Sequence, residues 1–393
     1  MINLYFRKLT NILLCICLCF FMLLLTGCWD RTEINDLALV LGTGIDKTDD
    51  NKIQLSVQLS IPKAMGGTQQ GTGGGGSGKP TIVKKATGST IYDAMSRLQE
   101  KVSRKIFWGH NRVVIFGEAL AKDGIRKDID FFARHPEPRL RAYTFVSTGK
   151  AIDILEVIPE LERSSAEIAR ELANFKIGMS VTVKDLLQML NSGADSAALP
   201  WLEINPTEGL RVNGTAVFKK DKMKGSINDK LTRGLLWLRD DVHLATVTIE
   251  PKNTKGSISF NLLRSKTKLV PKIVDGKWQM IAKITTEDDA VENDTALNLM
   301  DPKIVKDLEK QLAQRINQRI RMTLNLVQKD MRIDVFGFGE AFHRKYPNEW
   351  EKVKGHWSEK FPEIEVKIDS KAHIRRPGMS TEPQGIPKNE VKK

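Results

Sequence analysis

Hydrophobic residues are distributed along this chain in three textures. From Ile12 to Leu25 the apolar run is unbroken, with Arg7 and Lys8 ahead of it. Charge followed by an apolar stretch is the order of an export signal, and the run is too short to span a bilayer, which takes ~20 apolar residues. Strict alternation comes next, in Ile53, Leu55, Val57, Leu59 and Ile61. The β-rich stretches 37–45 and 52–61, separated by 46–51, predict a hairpin, and 81–86 predicts another strand. Helical spacing then interleaves with strands. Ile91, Met95, Leu98 and Val102 mark a helix over 89–103 with Ser89 as its cap. Further helices are predicted at 119–133, 165–174 and 183–191, and strands at 112–116 and 142–147. Alternating strands and helices argue for helices covering a sheet.

A Gly- and Pro-bearing passage, "NSGADSAALPWLEINPTEG", changes the texture near residues 191–209. Beyond it come a strand at 213–219, a turn at 221–224 and a short helix at 229–238. The stretches 242–250, 257–263 and 277–285 predict an antiparallel sheet. The strongest helix signal follows. Asp301 caps it, Pro302 takes its first position, and Val305, Leu308, Leu312, Ile316, Ile320, Leu324 and Val327 form one apolar stripe. Its other face carries Lys306, Lys310, Arg315, Arg319 and Arg321, a solvated face or a membrane-facing one. Short aromatic helices over 342–357 and a last strand at 363–374 precede a polar tail. The fold class expected is α+β, multidomain, with helices packed on mostly antiparallel sheets. Residues 1–27 read as a signal peptide, 28–205 as an N-terminal α/β region, 206–377 as a C-terminal α+β domain and 378–393 as the tail.

Four cysteines sharpen the export reading. Cys15, Cys17 and Cys19 lie in the apolar run, and Leu25-Thr26-Gly27-Cys28 has the aliphatic, small, small, cysteine order of a bacterial lipobox. Small side chains let a peptidase approach the backbone, and the Cys28 thiolate is the nucleophile that accepts a diacylglyceryl group. Cleavage before Cys28 leaves a mature chain with one thiol, and that one is lipidated, so disulfides, cysteine catalysis and a Cys-ligated zinc site within the monomer are excluded. Each buried methylene contributes about 0.8 kcal/mol, and two acyl chains hold stably where one does not. The whole chain carries +13, and losing Arg7 and Lys8 with the leader, which has no acid, leaves +11. A basic surface suits anionic headgroups, while export excludes nucleic acid as the partner.

"GTGGGGSGKPT" at 71–81 opens like a phosphate-binding loop, G-x-x-x-x-G-K at Gly73, Gly78 and Lys79. The next residue is Pro80, with neither a hydroxyl for magnesium nor an N–H for phosphate. Residues 66–79 are therefore a flexible loop, 14 residues with a root-mean-square span of roughly 20 Å. "GTGIDK" (42–47) and "GFGEAF" (337–342) fail as dinucleotide fingerprints at the third glycine and read as a hairpin turn and a helix entry. His110, His135, His243, His343, His356 and His373 are scattered without zinc-ligand spacing. "TEDDAVEND" (286–294) lacks the central glycine of a calcium loop and reads as a solvated loop. No G-x-S-x-G elbow occurs. Catalytic residues, cofactors and metals are accordingly expected to be none, and the chain is read as a binding protein, not an enzyme.

"GCWDRTEINDLALVLGTGIDKT" (27–48), "NGTAVFKKDKMKGSINDKLTRGLLWLRDD" (213–241) and "FHRKYPNEWEKVKGHWSEKFPEIEVKI" through "IRRPG" (342–378) resemble, in order, the opening, central and C-terminal signatures of the Ger(x)C lipoproteins. The resemblance implies a subunit of a spore nutrient germinant receptor, anchored on the outer face of the cell membrane (the inner spore membrane). It works there beside a multispanning B subunit and a membrane-embedded A subunit. It also implies three mixed α and β domains and carries over one functional residue, Cys28. Two other classes remain open: a solute-binding lipoprotein that hands a small molecule to a permease, and a cell-wall hydrolase. Trp29 belongs either at the headgroup level or against its own domain.

Overall fold

The computed structural model describes residues 2–23, 33–61, 79–252 and 254–376. An N-terminal helix spans Ile2–Leu23 and holds the described part of the apolar run. Among the described residues no helix is long and apolar enough to cross a membrane. The lipobox with Cys28, Trp29 and most of the glycine-rich loop lie outside the described residues.

The larger sheet has strand order β3-β2-β1-β5-β6-β7-β8-β9, with β4 on β1. Its strands are β1 (Leu37–Lys47), β2 (Ile53–Ser60), β3 (Thr81–Gly88), β4 (Lys105–Phe107), β5 (Val113–Phe116), β6 (Tyr143–Ser147), β7 (Ser196–Asn205), β8 (Gly209–Lys219) and β9 (Lys222–Asn228). The centre is parallel: β5 runs alongside β1, β6 alongside β5 and β7 alongside β6. Antiparallel hairpins flank it, β1–β2–β3 on one side and β7–β8–β9 on the other. A parallel centre must be covered on both faces, and it is. Val113 and Ile115 point to a core beneath the helices Ala151–Glu156 and Ser165–Asn174. Val114 and Phe116 point to the opposite one, beneath the helices Ile91–Gln99, Glu118–Asp123, Arg126–Arg134 and Val183–Leu190. The turn at 206–208, where the sequence divides the chain, joins β7 to β8 inside this one sheet.

The smaller sheet, β10-β11-β12-β13, contains β10 (Thr246–Ile249), β11 (Ile258–Val274), β12 (Lys277–Asn293) and β13 (Glu365–Arg376). Asp275 and Gly276, at φ 50° and 73°, make the two-residue turn between β11 and β12, the positive-φ geometry that suits a twisted hairpin. The long helix Pro302–Leu324, capped by Asp301 through Lys303 N at 2.8 Å, packs on this sheet and on the helix Asp229–Leu238. They meet at Gly234, where a Cβ would lie 2.2 Å from Thr323 Oγ1. The helix Asp229–Leu238 also packs on β8, β9 and β11, so one apolar core joins the two sheets.

Four expectations are corrected and one helix is added. The helix predicted at 119–133 is two helices, broken at Gly124, whose φ of 132° does not continue a helix. Thr90, not Ser89, caps the helix Ile91–Gln99; its side chain accepts from Asp93 N, while Ser89 donates to the Asp93 carboxylate. The acidic stretch 286–294 is largely strand: Thr286, Asp288 and Ala290 continue the inward alternation of Ala282 and Ile284 along β12. "GTGIDK" is not a turn but the interior of β1. Gly42 and Gly44 are there because helices lie against them; a Cβ on Gly42 would meet Ala166 Cβ at 2.7 Å. The helix Ala151–Glu156, absent from the sequence reading, is started by Asp46 of the same motif, which accepts from Ala151 N at 2.7 Å and Ile152 N at 3.1 Å.

Candidate functional site

The feature best placed to hold another molecule is a groove of about 670 Å³ where β7 and its preceding helix meet the chain between 334 and 340. Met179, Val181, Met189, Ala197, Ala198 and Val335 give it apolar walls, and Asp185, Asp241 and Glu340 an acidic rim. Arg239 lies in its floor. Its Nη1 donates to Val335 O at 2.7 Å, its Nη2 lies 4.0 Å from Met189 Sδ, and its Nε is sealed from water without a partner. Burial pushes the Arg239 pKa down, and Asp241, Asp334 and Asp185 pull it back.

Asp334 is the organising residue. Oδ1 accepts from Phe336 N (3.2 Å), Gly337 N (3.1 Å) and Phe338 N (3.1 Å), and Oδ2 from Gly339 N (2.6 Å) and Trp357 Nε1 (3.0 Å). The three-residue spacing before a glycine at φ 84° lets one carboxylate take the free amides that open the helix Phe338–Lys345. Around it packs an aromatic hub of Trp278, Phe336, Phe338, Phe342, Trp350, Trp357 and Phe361, with ring centroids as close as 4.5 Å for Trp278–Phe342 and 4.8 Å for Trp350–Trp357. The hub grips the first half of the chain through Trp350, which covers Gly193 so tightly that a Cβ there would lie 2.8 Å from its ring. Ser196 Oγ, which donates to Asp334 O at 2.5 Å, adds a second hold. "GFGEAF" is thus the helix entry expected of it.

Chemically the groove is a receptacle. Asp334 has all its lone pairs engaged by donors, Asp185 is locked in a capping box with Thr182, and Arg239 is tied to a carbonyl. The six histidines are apart: His110 beside Arg112, His135 by Phe131, His243 between Lys176 and Asp241, His343 on Trp350, His356 before Trp357 and His373 near Glu309. Among the described residues no three His, Cys, Asp or Glu side chains are placed to hold a metal. Cys28, the one site residue chosen from sequence, is outside the described residues. Asp334 and Arg239 were missed. The available signal was an aspartate three residues before a glycine that opens a helix.

A mixed parallel-centred sheet with antiparallel wings, joined to a smaller sheet by an aromatic hub, defines the class. Residues 30–204 match the spore germination protein N-terminal domain, and residues 213–378 match the spore germination B3/GerAC-like C-terminal domain. One model stops at the end of β7 and the other starts within β8. "Putative spore germination protein YfkR" of Bacillus subtilis (strain 168) is 31% identical over 88% of this chain and 91% of its own. "Spore germination protein KC" of the same organism is 29% identical over 92% of this chain and 95% of its own. The chain belongs to the Ger(x)C family of spore germination proteins. The solved structure of the GerBC protein shares the fold, at a TM-score of 0.59 and 20% identity, over 85% of this chain and 97% of that one.

Proposed function

We propose that this chain is a non-enzymatic lipoprotein subunit of a nutrient germinant receptor, held to the outer face of the membrane by acylated Cys28 beside A and B membrane subunits. The observation that carries this reading is the order of features along one chain: basic residues, apolar run, Leu25-Thr26-Gly27-Cys28, then the two germination domains in sequence. Names of relatives such as "Spore germination protein A3" and "Spore germination protein B3" support a place in a multi-protein germination apparatus. A non-enzymatic reading is supported by the groove, where Asp334, Asp185 and Arg239 are engaged in holding the fold.

The body needs only a tether. Every buried apolar side chain among the described residues lies between Ala38 and Ala372, so residues 29–393 hold the described core without the leader. Replacing Cys28 with alanine is expected to move the protein from the membrane to the soluble fraction of spore lysates and to slow nutrient-triggered germination. Retention of Cys28→Ala on washed membranes at wild-type level would show that lipid is not the main tether.

A further inference from the structure

The parallel strands β1, β5 and β6 all begin at one end of the large sheet, and the chain enters the fold there. Eight residues separate Cys28 from Leu37, nine steps that span at most about 32 Å of extended chain. This end gathers positive charge with few acids to match it. Arg112 immediately precedes β5, its backbone pinned on both sides: its N–H donates to Leu41 O at 3.0 Å and its carbonyl accepts from Tyr143 N at 2.9 Å. Its side chain, with those of His110, Arg163 and Arg170, lines a pocket of about 140 Å³ completed by Leu41, Ser164, Ala166 and Glu167. One water takes roughly 30 Å³ of liquid, so the space admits a small oxyanion.

The charge there is unbalanced. Arg170 is matched by Glu167 at 3.1 Å and Glu171 at 2.5 Å. Among the described residues no carboxylate lies within ion-pair reach of Arg112, Arg139, Arg141 or Arg163, and Arg112 Nε is sealed from water without an acceptor. Burial, then Arg141, Arg170 and Arg139, push the Arg112 pKa down. Burial, then Arg112, Arg139 and Arg170, do the same to His110, which favours its neutral form near pH 7. A half-buried guanidinium among like charges costs stability unless an anion joins it, and planar guanidinium donors suit two oxygens of one tetrahedral oxyanion. The nearby helix amides are already used, Ala166 N by Gln58 Oε1 at 3.1 Å and Glu167 N by Ser164 Oγ at 3.1 Å, so recognition falls to the side chains.

We propose that the pocket formed by Arg112, Arg163, Arg170 and His110, with Arg139 and Arg141 beside it, binds a phosphate group, supplied by an anionic phospholipid headgroup or by a free phosphate. The receptor reading matters here only in saying that a membrane lies near this end; the test omits the lipid anchor, so the two readings fail separately. Residues 29–393 are titrated with inorganic phosphate by calorimetry, and co-sedimented with phosphatidylcholine vesicles with and without phosphatidylglycerol. The variants are Arg112→Gln with Arg163→Gln, Arg163→Gln alone in case the buried site perturbs folding, and Lys306→Gln with Lys310→Gln on the long helix as control. Loss of two charge-assisted contacts is expected to weaken binding at least tenfold, roughly 1.4 kcal/mol or more, with the control unchanged. Calorimetric binding lost in the pocket variants assigns free phosphate. Sedimentation that requires phosphatidylglycerol and is lost in the same variants assigns the headgroup. No binding in either arm, or equal loss in the control, overturns the proposal.

Discussion

Replacing Asp334 with alanine should loosen the junction between the two halves of the molecule more than any other single polar change. The carboxylate accepts five hydrogen bonds, from Phe336, Gly337, Phe338 and Gly339 N–H and from Trp357 Nε1, and four of those contacts are buried. Truncation leaves these donors without a partner and admits water only by opening the aromatic hub. At about 1 kcal/mol for each buried donor left unpaired, the loss is about 4 kcal/mol. For a body of 365 residues that corresponds to a fall of roughly 5 °C in the melting midpoint. Asp334→Asn keeps the shape but turns an NH₂ toward N–H groups, and about half the loss is expected. Urea unfolding of residues 29–393, followed by Trp fluorescence, reports both variants, since Trp278, Trp350 and Trp357 sit in the hub. A loss under 1 kcal/mol for the alanine variant, or an asparagine variant as weak as the alanine one, would refute the view that this carboxylate organises the junction.

Other changes test other parts of the structure. Gly234→Ala should cost about 1–3 kcal/mol by pushing apart the helices Asp229–Leu238 and Pro302–Leu324, against the gain of about 1 kcal/mol the same change gives in an open helix; an unchanged melting midpoint would mean that the helices do not meet there. Asp46→Ala should cost about 1–2 kcal/mol through loss of the cap on Ala151–Glu156, seen as faster amide exchange at Ala151 and Ile152. Burial raises the carboxyls of Asp128 and Asp288 from 3.8 to about 6. The folded state therefore binds more protons than the unfolded chain between pH 4 and 6, so each group weakens stability as pH rises through that window. Stability should be greater at pH 5 than at pH 7 from this source, and Asp288→Asn should flatten the profile by up to about 3 kcal/mol; an unaltered profile would show that Asp288 titrates normally.

Much of the fold was legible because its signals are local. Alternation located β2, β-rich composition located β1 and most of β8, and local pattern placed the helices Ser165–Asn174, Asp229–Leu238 and Pro302–Leu324, the last with its cap at Asp301. What was hidden depends on distant partners. Nothing near Gly42 shows that Ala166 packs on it, and nothing in 286–294 shows that Asp288 has a strand on either side, with β11 and β13 as its neighbours. Asp275-Gly276 was a local hairpin signal that escaped notice, and it would have extended β11 and β12 to their full length. The groove was invisible for the same reason as its parts: Arg239, Asp185 and Asp334 lie far apart in sequence and meet only when Trp350 closes on Gly193. The proposed anchor is the reverse case, since the lipobox reading of Cys28 rests on four consecutive residues and needs no fold.

Capture of neighbours in intact spores tests the receptor reading most directly. A photo-crosslinker at exposed Glu340, on the rim of the groove, or at exposed Arg141, beside the basic pocket, would be activated in dormant spores and the attached chains identified by mass spectrometry. Recovery of membrane-embedded germination proteins from at least one position, lost together with membrane retention in Cys28→Ala, is the predicted result. Recovery from both positions of soluble proteins alone, with Cys28 found unacylated, would contradict it.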